Sequence, residues 1–461
     1  MRTGFKTLEK ETSPRAFHDS GHEVDVPRCH ENTRVAILEK IGDWVNLVID
    51  ITTFIMWLYG AAGAGKSAVA RTVAEFLISR RQLLATFFFS REDSSRNNIR
   101  SVVATLAYNI TRSVPESYHL ITTTIANDPH IVNRSFAHQL KQLILGPLQK
   151  LSQEGVVYPT VIVIDGLDEC LNHKERTALL HAISRATGQQ FPPLKFLITS
   201  RPEVPIKRLF NATPVIEVST RHSLDNEPEA IEDVKRFLSA KFDEIRTIHP
   251  FSDHIPPNWP SSQVLADLAQ KSSGQFIHPV TIIRYISEPQ ERPTLRLNVV
   301  LNLQSMPGES PFAPLDALYS YITRSCKKLR VALRIIGICF LSTQAINVPW
   351  GDGYIFPSQI TAPTYMESIL GLHPGEVRLG LEEMGSLIEY KGDRKELRVL
   401  HTFLFDFLLD PARFTELPFN LASIRTDLAI WCSYLDCYRD DFQIRALHCE
   451  FDILYQLIGL G

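Results

Sequence analysis

The 461-residue sequence predicts an α/β core, a parallel sheet flanked by helices, followed by helical and winged-helix-like regions. Three observations carry that expectation. Short, unbroken apolar runs alternate with amphipathic helical patterns as far as about residue 221. A glycine-rich turn joins the first of these runs to the helix after it. Past residue 222 the alternation gives way to helices and a single hairpin signal. An unbroken apolar run is how a strand reads when a parallel sheet buries both its faces. Strands alternating with helices argue for βαβ units, whose right-handed crossovers place helices on both faces.

In chain order, residues 1–30 hold Pro14, Pro27 and many charges and read as a loose lead-in. Leu38, Ile41, Val45 and Val48 then recur at helical spacing. Phe54–Tyr59 is the first expected strand, and Val69, Val73, Phe76 and Leu77 mark the helix behind the glycine turn. Further strands are expected at Leu84–Phe89, Val161–Ile164, Leu194–Thr199 and Val215–Val218, completing a core domain over 31–221. Residues 222–310 read as a helical domain, with helices over 229–245 and 261–287 and a Pro- and Gly-rich linker from Glu288 to Pro314. Residues 311–412 carry helices around 315–341, 363–371 and 374–386. Strands Leu387–Tyr390 and Leu397–His401 follow, joined by the turn signal Lys391-Gly-Asp-Arg394. Three helices closed by a hairpin is a winged-helix plan. A helical segment, 413–461, ends the chain, and no fixed-period repeat is present.

Composition narrows the function classes. Lys plus Arg number 48 against 51 Asp plus Glu, a net charge of −3. A general nucleic-acid or anionic-membrane surface needs a cationic excess, so this balance speaks against both partners, leaving a local basic patch open. The 7 cysteines are scattered, without a CxxC, which suggests neither a disulfide framework nor a zinc site. The first twenty residues lack an apolar signal segment. Trp44–Gly60 carries Asn46 and Asp50 and is too short for a bilayer. A cytoplasmic location is the expectation.

The glycine turn is Gly60-Ala-Ala-Gly-Ala-Gly-Lys66-Ser67, which fits G-x-x-x-x-G-K-[ST]. Each residue type has a reason. Gly60, Ala61, Ala62, Gly63, Ala64 and Gly65 leave the backbone bare enough for successive N–H groups to curl around phosphate oxygens. The following helix adds its N-terminal dipole. Lys66 reaches the β- and γ-phosphates, and the Ser67 hydroxyl joins the Mg²⁺ shell. A buried strand before the loop and an amphipathic helix after it are the context the motif requires, which makes this an α/β P-loop NTPase core. The bland alternative is a glycine-rich turn with an incidental lysine.

Thr160-Val-Ile-Val-Ile-Asp165 is an apolar strand ending in a carboxylate suited to holding Mg²⁺. Asp168 and Glu169 follow after Gly166, and one of them could orient an attacking water as general base. The alternative is that both cap the next helix near Asn172. A third strand ends in Thr199-Ser-Arg201-Pro202, on the ligand side of such a sheet. Arg201 could sense a γ-phosphate through bidentate hydrogen bonds, or simply be a surface arginine beside a turn proline.

Together, Gly60–Ser67, the acidic box Val161-Ile-Val-Ile-Asp-Gly-Leu-Asp-Glu169 and Thr199–Pro202 resemble NACHT domains of the STAND signalling ATPases, in particular the large set found in fungi. The resemblance also takes in Cys29–Trp44, Phe87–Arg91, Thr105–Ala107, Gly274–Ile277 and His401–Leu408, and spans about residues 25–440. It implies a switch that binds ATP or ADP with Mg²⁺ and hydrolyses slowly. ADP holds a closed monomer, and the ATP form opens into a homo-oligomer. It further implies that His401 touches the ADP β-phosphate and that Arg34 lies near the adenine. Relatives usually carry an N-terminal effector domain and C-terminal sensor repeats. About 30 residues precede the core here and no repeats follow it, as expected of a truncated sequence, a fragment, or a short form working with unidentified effector and sensor partners. The proline that many relatives place near the adenine is not obvious around Gly274–Phe276, which leaves ATP against GTP open. Two other readings compete: a nucleotide-regulated scaffold without turnover, and a metabolic P-loop kinase, for which no acceptor site is evident.

Overall fold

The computed structural model describes residues 2–20, 27–46, 52–91, 93–186, 193–225, 227–303, 313–344, 361–391, 396–400, 403–415 and 419–437. The chain forms two compact units, Met1–Asp233 and Val234–Gly461.

The first unit is built on five strands: β1 (Ile55–Tyr59), β2 (Leu83–Phe88), β3 (Val161–Asp165), β4 (Lys195–Ser200) and β5 (Ser219–Ser223). They lie in the order β2-β3-β4-β1-β5, every pair parallel. Because successive side chains point to opposite faces of a strand, β1 to β4 feed two cores. Ile55, Trp57, Phe87, Ile162, Ile164, Phe196 and Ile198 belong to one, which also takes residues of helices Val102–Ser113, Ser117–Asn127, His173–Ala186 and Val204–Phe210. Met56, Leu58, Val161, Val163 and Leu197 belong to the other, together with Val69, Val73 and Leu77 of helix Lys66–Ser79 and Ile37, Ile41 and Trp44 of helix Val35–Val45. Both faces of β1, β3 and β4 are therefore covered, as their continuous apolar sequences require.

The strand order also decides where a ligand can sit. The connection leaving β1 runs over one face through helix Lys66–Ser79, whereas that leaving its neighbour β4 runs over the other through helix Val204–Phe210. Divergence of two adjacent connections opens a crevice at the strands' carboxyl ends, the site of ligand binding in open α/β sheets.

In this unit two elements differ from the sequence reading. The apolar run at 215–218 is not a strand: Ile216–Val218 forms a 3-10 turn, and β5 follows it at Ser219–Ser223. As an edge strand that is only partly buried, β5 needs no apolar run, and its Ser-Thr-Arg-His-Ser sequence carries no strand signal. The lead-in also holds an ordered helix, Arg2–Glu11. Its Leu8 is fully buried, and Phe5 lies against the rings of Tyr108 and Tyr118, at centroid distances of 5.9 and 5.2 Å.

The second unit is helical. Its segments include Ser262–Lys271, Ile277–Ile286, Ala313–Ser325, Leu329–Gln344, Pro363–Leu370 and Glu376–Gly380. The expected linker contains a further helix, Pro293–Asn302, opened by a proline at its first position, where a missing N–H costs nothing. The single helix expected around 315–341 is two, broken after Ser325 without a proline or glycine to announce it. An antiparallel hairpin follows, β6 (Ile388–Lys391) with β7 (Glu396–Val399), Ile388 opposite Val399. Helices leading into a hairpin give the winged-helix plan. The carboxylate of Asp316 takes both Nε and Nη2 of Arg413, at 2.9 and 2.6 Å, tying the segment after helix Phe403–Leu409 to helix Ala313–Ser325. Among the described residues, no helix is long and apolar enough to cross a membrane.

Candidate functional site

The loop from Gly60 to Gly65 leaves β1 and opens helix Lys66–Ser79. Gly63 and Gly65 hold φ values of 77° and 88°, a left-handed conformation that side chains disfavour. Lys66 Nζ donates to the carbonyl oxygens of Gly60 and Ala61, at 2.9 and 2.8 Å. Burial pulls the Lys66 ammonium below the usual lysine range, while the carboxylate of Asp168, and then those of Asp165 and Glu169, push the other way. A cation placed against three acids is thus the electrostatic centre of the site.

Asp165 ends β3 and is 4% exposed. Its Oδ1 accepts from Thr199 Oγ1 of β4 at 2.5 Å, and Thr199 Oγ1 accepts in turn from the Gly166 N–H at 3.0 Å. The Ser67 side chain also favours the charged Asp165 carboxylate, so the first turn of helix Lys66–Ser79 and the ends of β3 and β4 meet at one acid. Burial raises the Asp165 carboxyl above the usual range, against the pull of Thr199 and then of Ser67.

Gly166, at φ 74°, turns the chain into the short helical turn Leu167–Glu169. Asp168 is 3% exposed; its Oδ1 accepts the Arg201 N–H at 2.9 Å and its Oδ2 pairs with Arg201 Nε at 3.3 Å. Glu169 Oε2 accepts the Arg91 N–H at 3.0 Å. Burial, and next the proximity of Asp168 and Asp165, push the Glu169 carboxyl up to about 7. The cap of helix His173–Ala186 comes instead from Asn172, whose Oδ1 accepts the Lys174 N–H at 2.9 Å.

Lys66, Ser67, Asp165, Asp168, Glu169 and Arg201 thus converge at the carboxyl ends of β1, β3 and β4. In this structure Arg201 is engaged by Asp168. Arg34, buried and at φ 58°, donates from Nη2 to the Ala64 carbonyl at 2.9 Å, and its backbone N–H donates to Asp233 Oδ2 at 2.8 Å. His401 lies outside the described residues.

Three contributors escaped the sequence reading. Thr199 was visible only as part of a strand end, not as the bridge between Asp165 and the Gly166 amide. Arg91 follows β2 and holds Glu169 by its backbone. Asp225 accepts the Ala61 N–H from beyond β5, at 2.9 and 3.1 Å to its two oxygens. No local pattern could reveal it, because only the neighbouring of β1 and β5 brings it to the loop.

The donor set suits a magnesium nucleotide. A glycine-rich loop opening a helix, a half-buried lysine at the helix start, and a serine hydroxyl beside a buried aspartate are the groups that a polyphosphate and a hard, oxygen-seeking cation require.

The family model described as Nephrocystin 3, N-terminal, matches residues 39–201, the stretch that carries β1 to β4. No curated protein matches the chain in sequence. Solved structures that resemble it include the ORC2 protein of Aeropyrum pernix in its ADPNP–ADP complexes, at 10% identity and a TM-score of 0.38, with 95% of this chain and 97% of that one covered. The ORC1 protein of Aeropyrum pernix in complex with DNA matches at 13% identity and a TM-score of 0.34, covering 82% and 92%. Cdc6p from Pyrobaculum aerophilum matches at 13% and 0.32, covering 83% and 93%. Likenesses this loose bear on neither the activity nor the partners of the present chain.

Proposed function

We propose that this chain is a STAND-type switch of the NACHT kind, which binds ATP or ADP with Mg²⁺, hydrolyses ATP slowly and self-associates in the ATP state. The observation that supports it best is the meeting of Lys66, the Ser67–Asp165 pair and the Asp168–Glu169 acids at one crevice. Lys66 takes the β- and γ-phosphate oxygens, and the loop amides take the rest of the phosphate charge. Ser67 and Asp165 would hold Mg²⁺, which when bound would supply positive charge against the phosphate oxygens. Glu169 is placed to accept a proton from an attacking water, whose oxygen bonds the γ-phosphorus as the bond to the ADP oxygen breaks. Arg201, paired with Asp168, must leave that carboxylate before it can meet a γ-phosphate. A half-protonated base and a sequestered arginine both favour slow turnover, which suits a switch better than a metabolic kinase.

The test is calorimetry of the purified chain with ADP and ATP in Mg²⁺. Binding is expected in the wild type, with a loss on the order of 100-fold in Lys66→Ala, where a buried charge-assisted contact disappears. An unchanged ADP affinity in that variant would remove the site assignment. Rapid multiple-turnover transfer to a small metabolite would favour the kinase instead.

A further inference from the structure

The peptide unit between Gly60 and Ala61 is gripped from both sides. Its carbonyl accepts Lys66 Nζ at 2.9 Å, and its N–H is taken by the Asp225 carboxylate at 2.9 Å. Asp225 is itself held in place. The Leu224 N–H donates to the Tyr59 carbonyl at 2.8 Å, extending the β1–β5 ladder one residue past the strands, and the Asp225 N–H donates to Ser223 Oγ at 3.3 Å. The approach is close: a Cβ on Gly60 would stand 3.2 Å from Asp225 Oδ1, 3.2 Å from Leu224 Cβ and 3.1 Å from Ala64 Cβ.

These contacts divide into two kinds. Lys66 ties the loop to itself from within, through the Gly60 and Ala61 carbonyls. Asp225 and Arg34 tie it from outside, at the Ala61 N–H and the Ala64 carbonyl. A phosphate that draws the ammonium away removes the inner tie and leaves the outer ones. Donors that keep their aim when the ligand arrives cost no reorganisation on binding.

We propose that Asp225 is a positioning residue of the phosphate loop, one that keeps the Gly60–Ala61 peptide fixed so that Lys66 can exchange its carbonyl partners for phosphate without the loop collapsing. This rests on the nucleotide-binding reading above. It adds a residue outside the loop, the acidic box and the arginine strand end, two positions beyond β5.

Two measurements on wild type, Asp225→Ala, Asp225→Asn and Lys66→Ala test it. The first is hydrogen–deuterium exchange over residues 59–66 without nucleotide. The second is ADP and ATP affinity, with single-turnover hydrolysis of bound ATP. Asp225→Ala is expected to exchange faster and to bind both nucleotides on the order of ten-fold more weakly, the effect of one lost charge-assisted hydrogen bond at a partly solvated position. Asp225→Asn keeps an oxygen acceptor for the Ala61 N–H and is expected to stay within about three-fold of wild type in both readouts. Hydrolysis of bound ATP should slow in Asp225→Ala and stay near the wild-type rate in Asp225→Asn. Wild-type exchange and affinity in Asp225→Ala would overturn the proposal, and so would an Asp225→Asn variant as impaired as Asp225→Ala. If the wild type bound no nucleotide, the switch reading would fail while the exchange comparison still decided the grip of Asp225. Should Asp225→Ala not fold, Asp225→Ser, too short to reach Ala61, takes its place in the same comparison.

Discussion

Glu169 is the residue whose chemistry the surroundings change most usefully. Its carboxyl is lifted from 4.5 to about 7 by burial first and the neighbouring acids second. The folded chain therefore holds this proton more tightly than the unfolded chain does. Its contribution to stability is full below pH 4.5 and is lost as the pH rises through about 7. For hydrolysis the sign reverses, since a base must be deprotonated to accept. Single-turnover hydrolysis is expected to rise about ten-fold between about pH 6 and pH 8, following that ionisation. Glu169→Gln should flatten the profile and slow the step by about 100-fold or more while sparing nucleotide affinity. A profile that kept its slope in the glutamine variant would assign the titration, and the base, to another group. Asp165→Asn should act differently: with the acceptor for Ser67 and Thr199 weakened, Mg²⁺-dependent binding falls before any rate does.

At the level of elements, the same physical rule decided what could be read. Strands β1 to β4 were legible because burial on both faces forces an unbroken apolar sequence, and Lys66, Ser67 and Asp165 were legible because strand and helix flank their motifs. β5 lacks that constraint, so its polar sequence passed as loop, and Asp225 went unseen with it. Helix Arg2–Glu11 was hidden for another reason: its mean hydropathy is low, and the residues it docks through are not all apolar. One of these is Gly4, where an added Cβ would stand 2.2 Å from the Thr122 carbonyl oxygen and 3.3 Å from the Ala126 nitrogen. Backbone cannot yield as a flexible side chain can, so the helix must lift off helix Ser117–Asn127. Gly4→Ala is expected to destabilise the chain by about 1–3 kcal/mol, the usual cost of overpacking, despite improving helix propensity. Urea unfolding with an unchanged midpoint would show that this helix does not dock as described.

On the scale of the whole molecule, the expected behaviour is a nucleotide-dependent change of assembly. On the proposed switch reading, His401 would have the ADP β-phosphate as its partner. A charge-assisted hydrogen bond contributes about 1.5–3 kcal/mol, so losing it could raise an open population on the order of 10- to 100-fold. A ligand moves such an equilibrium only by its differential contact with the two states. His401→Ala is accordingly expected to release ADP faster and to elute as larger species on size-exclusion chromatography once ATP is added. Wild-type ADP release with an unchanged elution profile would reduce His401 to a structural residue. Whether the chain meets nucleic acid is a separate measurement, best made as salt-dependent binding to a duplex.

The strand order has a consequence in time as well as in space. In the sheet β1 lies between β4 and β5, yet about 135 residues separate Tyr59 from Lys195 along the chain. At roughly 5–20 residues per second of synthesis, β1 waits on the order of 10 s on the ribosome for its first partner. Throughout that interval Ile-Met-Trp-Leu-Tyr, among the most apolar strands of the molecule, has no neighbour to pair with. The phosphate loop that hangs from it can be no better ordered. The segment that makes the crevice possible is thus also the nascent chain's longest-standing liability to misassembly, and the stretch on which a chaperone would have most to do.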